Sequence, residues 1–118
     1  MPWHVEFYQE KDDEDPIRQF LQLLPEAHRA RMFQTIHLLE TFGPLLNHPH
    51  SSQVSGKLRE LRVQCGKAHY RLLYYGDVHR NFVLLHGFRK ATSKLPKQEI
   101  ETAVKRMERD IAEKEAEP

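Results

Sequence analysis

Residues 57–97 read KLRELRVQCGKAHYRLLYYGDVHRNFVLLHGFRKATSKLPK, and the fold follows from this stretch. Three apolar-rich segments, 58–64, 69–75 and 80–87, are separated by short breaks carrying Gly66 and Gly76-Asp77. Aromatic and β-branched residues favour strands, and Gly or Asp marks the turns. The pattern predicts an antiparallel three-strand meander. Ten residues of the stretch are Lys or Arg and two, Glu60 and Asp77, are acidic, which makes it +8 in a chain of formal charge +1. The rest of the chain must then sum to −7. Charge is sorted rather than mixed, and we expect the basic side chains on one sheet face, a seat for a polyanion.

Working outward, Trp3, Val5 and Phe7 alternate with His4, Glu6 and Tyr8, the period-2 pattern of a half-buried strand. An acidic loop follows from Glu10 to Asp15. Asp15-Pro16 predicts a helix start, since Asp caps free amides and Pro at the first position sacrifices no hydrogen bond. The first helix, 16–24, should bury Ile17, Phe20, Leu21 and Leu24. A second, 26–42, should bury Ala27, Ala30, Phe33, Ile36 and Leu39 and end at Gly43-Pro44. Residues 45–56 are polar and aperiodic and read as a loop. The exit loop 87–94 is dense in cations, and a last helix from about Pro96 should present Ile100, Ala103, Val104, Met107 and Ile111 on one face. The expected architecture is α+β, a single domain over 1–118: an N-terminal strand, a two-helix hairpin, a meander completing a four-strand sheet, and a C-terminal helix.

A chain of 118 residues can bury a core without staples. The single Cys65 excludes an internal disulfide and favours a reducing compartment. No apolar run approaches the roughly 20 residues that cross a bilayer, so a cytoplasmic address is expected. The sequence contains no Gly-rich phosphate loop, no H-E-x-x-H, no cysteine zinc pattern and no Gly-x-Ser-x-Gly elbow. His48 and His50 are a weak ligand pair, and we expect neither a metal nor another cofactor.

The basic residues are more specific. Arg62 shares a strand face with Glu60, while Leu61 and Val63 point the other way. Arg71 stands among apolar neighbours, either as the ion-pair partner of Glu60 or as a fixed guanidinium for phosphate, and the two roles are compatible. His86 can move a proton, and Arg89-Lys90 can neutralise a phosphorane-like transition state. RNA supplies its own nucleophile, the 2′-hydroxyl, so cleavage needs only in-line positioning, charge neutralisation and proton transfer.

Three runs, Lys57-Leu58-Arg59-Glu60-Leu61-Arg62, Tyr70-Arg71-Leu72-Leu73-Tyr74-Tyr75 and Leu84-Leu85-His86-Gly87-Phe88-Arg89-Lys90, resemble the RelE/HigB superfamily of toxins. The resemblance is closest to its phage-derived, HigB-like host-killing branch. Thr92, Pro96, Glu99-Ile100 and Ala103 continue it, so that it covers residues 57–106. The resemblance implies a toxin of a type II toxin–antitoxin pair that cuts mRNA at the ribosomal A site. It assigns Arg62 to phosphate binding or proton relay, Arg71 and Lys90 to transition-state charge, and His86 to acid/base work. Lys57, Arg59, Arg89 and Lys94 become RNA contacts. The implied partners are the ribosome, mRNA and a small antitoxin, commonly of helix-turn-helix type. The chain departs from the pattern at Glu60, where some relatives carry lysine. Ala91 replaces a second lysine, and no tyrosine follows Lys90.

Two other readings share the fold: a ParE-like toxin that poisons DNA gyrase by protein contact, and an inert relative that only partners an antitoxin. Clustering of His86, Arg89 and Lys90 at a strand end favours the nuclease. A net charge of +1 argues against stand-alone DNA binding.

Overall fold

The computed structural model describes residues 3–117. Strand β1 (His4–Phe7) is followed by α1 (Pro16–Gln22), α2 (Glu26–Phe42), β2 (Ser51–Ser55), β3 (Leu58–Cys65), β4 (Ala68–Gly76), β5 (Asn81–Lys90) and α3 (Lys97–Glu115). The sheet order is β1-β5-β4-β3-β2. The predicted meander is β3-β4-β5, and β1 joins β5 in parallel. The architecture is α+β, as expected, with five strands instead of four.

The added strand is β2, which falls in the expected loop 45–56. Its sequence SSQVS lacks apolar alternation because a hydroxyl does what an apolar side chain would do elsewhere. Ser51 is fully buried, and its Oγ shares a 2.6 Å hydrogen bond with the Tyr74 hydroxyl. Across the ladder Ser51 pairs with Leu61, and that pairing satisfies the edge of β3.

Both faces of the sheet are covered. Leu61, Val63, Tyr70, Leu72, Tyr74, Phe82 and Leu84 face α1 and α2, and Leu58, Leu73, Tyr75, Val83, Leu85 and Phe88 face α3. The apolar run in β4 is continuous because the strand is buried on both sides. Truncating Leu72 at its centre to Ala costs about 2–5 kcal/mol. Asp15 caps α1 by accepting from the Arg18 amide, as Asp15-Pro16 predicted.

α2 has the predicted ends but a rotated face. Met32, Thr35, Ile36 and Leu39 are buried, whereas Ala27, Ala30 and Phe33 are exposed. A run of three-residue steps cannot hold one face: at 3.6 residues per turn, Ala27 and Leu39 lie about 120° apart around the axis. α3 presents the predicted stripe of Ile100, Ala103, Val104, Met107 and Ile111. No described helix is long and apolar enough to cross a membrane.

Candidate cationic site

The site lies beyond the N-terminal end of α3. The apolar face of α3 covers the rows that contain Leu73, Tyr75, Val83 and Leu85, and the next rows carry charge. In these rows Arg62 stands opposite Arg71, and Arg71 opposite Phe88; one step on, Gln64, His69 and Lys90 line up across β3, β4 and β5. Directly opposed residues share a face, with Cβ atoms about 4.5–5.5 Å apart.

Two cavities meet here. One of about 310 Å³ is lined by Arg31 and Thr35 of α2, by Pro49 and His50, and by Arg62, Gln64, His69 and Arg71. The other, of about 300 Å³, is lined by Arg62, His69, Arg71, Lys90 and residues 91–93. Arg62, His69 and Arg71 belong to both.

Arg71 is buried, at 4% exposure. Its Nη1 donates to the Tyr70 carbonyl (2.9 Å), and its Nε lies 3.3 Å from Glu60 Oε1. That contact has ion-pair distance but not hydrogen-bond alignment, and Nε has no hydrogen-bond partner. Glu60 is also buried and lies 4.0 Å from Arg62 Nη1. Burial lowers the pKa of Arg71, Glu60 opposes the shift, and Arg62 adds to it. Lys90 is pushed down by burial and then by Arg71 and Arg62, against Glu60. One carboxylate therefore faces three cations. The surplus is a ready site for an oxyanion.

The basic residues do not share one face, contrary to expectation. Arg62, Arg71 and Lys90 converge on the α3 side. Arg59 faces the other way, its guanidinium donating to Ser51 Oγ (3.0 Å) and lying 3.4 Å from the Tyr74 hydroxyl. Arg89 pairs with Tyr70, a residue of the α1/α2 face, and is exposed. Lys57 lies at the opposite end of the sheet, beside Tyr75, Asp77 and Lys114. Lys94 is exposed in the loop beyond β5. Period-2 alternation divides a basic strand between two faces, and a meander sends its ends in opposite directions.

His86 is also apart from the cluster. It lies beneath α3, with Nε2 3.3 Å from Glu99 Oε1 and Nδ1 3.3 Å from Arg106 Nη1. Nε2 is close enough to Glu99 for an ion pair but is not aligned as a hydrogen bond. Burial lowers the pKa of His86, Glu99 raises it and Arg106 lowers it. An irregularity in the β4–β5 ladder between Leu73 and Tyr74 places Leu85 and His86 both towards α3.

Sequence reasoning missed His69. The signal was present, since His69 stands two residues before Arg71 and so on the same face of β4. Arg31 carried no such signal, because only the docking of α2 brings it to the cavity.

A small α+β protein with a cationic cleft at an uncovered sheet end is the class these features define. The "Phage derived protein Gp49-like" family model matches residues 19–108. The chain belongs to this phage-derived Gp49-like family, a RelE/HigB-type toxin family. Among solved structures, a chain of the archaeal RelE–RelB complex from Pyrococcus horikoshii OT3 aligns with TM-score 0.46 and 21% identity, covering 80% of this chain and 100% of that one. Among curated proteins no sequence matches.

Proposed function

We propose that this toxin is a metal-independent endoribonuclease that cuts mRNA on the ribosome and is restrained by a cognate antitoxin of the helix-turn-helix kind. The observation that carries the reading is the convergence of Arg62, Arg71 and Lys90 on two joined cavities, with Glu60 as the buried counter-charge. In the proposed reaction Arg71, held by Glu60 and the Tyr70 carbonyl, binds a non-bridging oxygen of the scissile phosphate. Arg62 and Lys90 neutralise the charge that builds on the non-bridging oxygens in the transition state. Arg89 and Lys94, both exposed and outside the cavities, contact RNA beyond the cleft. Lys57 and Arg59, by their placement, do not serve this cleft.

Cell-free translation with primer extension on the message tests the reading. Wild type should cut inside translated codons, and an Arg71→Ala/Lys90→Ala variant should not. An intact message together with failed supercoiling by gyrase would move the assignment to a ParE-like poison. The antitoxin is expected to cover the same cleft, so Arg62→Glu/Lys90→Glu should weaken its capture in a pull-down.

A further inference from the structure

Cleavage by a 2′-hydroxyl needs a group that accepts its proton, and the cations of the cleft are poor acceptors near neutral pH. His86 is held beneath α3 by Glu99 and Arg106. The remaining imidazoles near the cleft are His50 and His69. His50 lines only the cavity on the α2 side, and its backbone carbonyl is taken by the Arg62 amide (2.8 Å). His69 lines both cavities, at the place where Arg62 and Arg71 are shared.

From this placement we propose that His69 is the general base of RNA cleavage. The proposal rests on the nuclease reading above and adds to it the residue that accepts the proton. His69 is two residues from Arg71 on one face of β4 and directly opposite Lys90 on β5. It is half-buried, and its imidazole makes no hydrogen bond or ion pair with any described residue. A group with a structural role in so polar a setting would be tied to a neighbour, as His28 is to the Tyr70 hydroxyl (2.7 Å) and His86 is to α3. The charged and titratable groups around it are Arg62 and Glu60 from β3, Arg71 from β4, Lys90 from β5, Arg31 from α2, and His50.

The step balances as follows. A ring nitrogen of His69 takes the 2′-hydroxyl proton as the 2′-oxygen bonds to the adjacent phosphorus. The bond from phosphorus to the 5′-oxygen breaks, and the Lys90 ammonium gives that oxygen its proton. Burial and the neighbouring Arg71 and Arg62 make Lys90 a better acid than an ordinary lysine. The products are a 2′,3′-cyclic phosphate and a 5′-hydroxyl, and exchange with water restores both side chains.

The test is single-turnover cleavage of mRNA on programmed ribosomes by wild type, His69→Gln and His69→Ala, the last with and without added imidazole. We expect His69→Gln to cut about 10²–10⁴-fold more slowly with unchanged ribosome affinity and thermal stability. Free imidazole should restore part of the His69→Ala rate. A His69→Gln rate within threefold of wild type overturns the proposal. So does a slow His69→Ala that imidazole does not rescue and whose ribosome affinity falls in parallel. If wild type itself leaves the message whole, the nuclease reading fails, and the base fails with it.

Discussion

Glu60→Gln removes the one buried carboxylate of the cleft and leaves Arg71 charged and enclosed. Glu60 and Arg71 have side-chain exposures of 7% and 5%, so neither is screened as a surface pair would be. Breaking a buried pair by neutralising one partner costs about 3–5 kcal/mol, because the other charge stays buried without compensation. Arg71 keeps its hydrogen bond to the Tyr70 carbonyl, and the Glu60 contact lacks hydrogen-bond alignment, which places the cost at the low end. A loss of about 3 kcal/mol in a chain of this size lowers Tm by roughly 12 °C. Urea and thermal unfolding measure it directly. Replacing both partners, as Glu60→Leu/Arg71→Met, should cost less than Glu60→Gln alone, since no charge is then stranded. Sulfate at millimolar concentration should recover part of the single variant's loss by occupying the now uncompensated site. A Glu60→Gln protein within about 1 kcal/mol of wild type, the ordinary effect of a point change, refutes the reasoning.

Three further outcomes follow from the packing. His86 has a folded pKa below its unfolded value, so wild type loses stability as pH falls below about 6.5, the unfolded side binding more protons there, and the loss ends below the folded pKa. His86→Gln should flatten that slope in urea titrations. Asp77 is pushed up by burial but held lower overall by Lys114 (2.6 Å) and by the His79 and Asn81 amides. Its contribution is present above about pH 4 and lost as pH falls through the folded pKa, so Asp77→Asn should cost about 1.5–3 kcal/mol at pH 7 and less in acid. A Cβ at Gly87 would meet Phe20 at 2.5 Å and Leu72 at 2.8 Å, so Gly87→Ala should lower stability by about 1–3 kcal/mol in the same assay.

How much was legible differs from element to element. The meander was readable because Gly66 and Gly76-Asp77 punctuate runs whose side chains repeat every two residues. The ends of α2 were readable because Pro25 and Gly43 bracket it, and Gly43 indeed has φ +56°. β2 was not readable, since its pairing depends on a buried serine meeting a tyrosine 23 residues away. Nor was the buried face of α2, where Thr35 takes a place that Ala30 and Phe33 were expected to share.

The sequence by itself determined the elements apart from β2, their order, the family, and the presence of Arg62, Arg71 and Lys90 in or just beyond the strands of the meander. Local periodicity and turn chemistry act within a few residues, and those are printed in the chain. Only the tertiary structure decided which cations meet. It separated Arg59, Lys57 and His86 from the cleft, brought Arg31 in from α2, and left His69 unengaged between Arg71 and Lys90. Those outcomes depend on strand register and on where α3 begins above the sheet, and both are set by contacts between residues far apart in sequence.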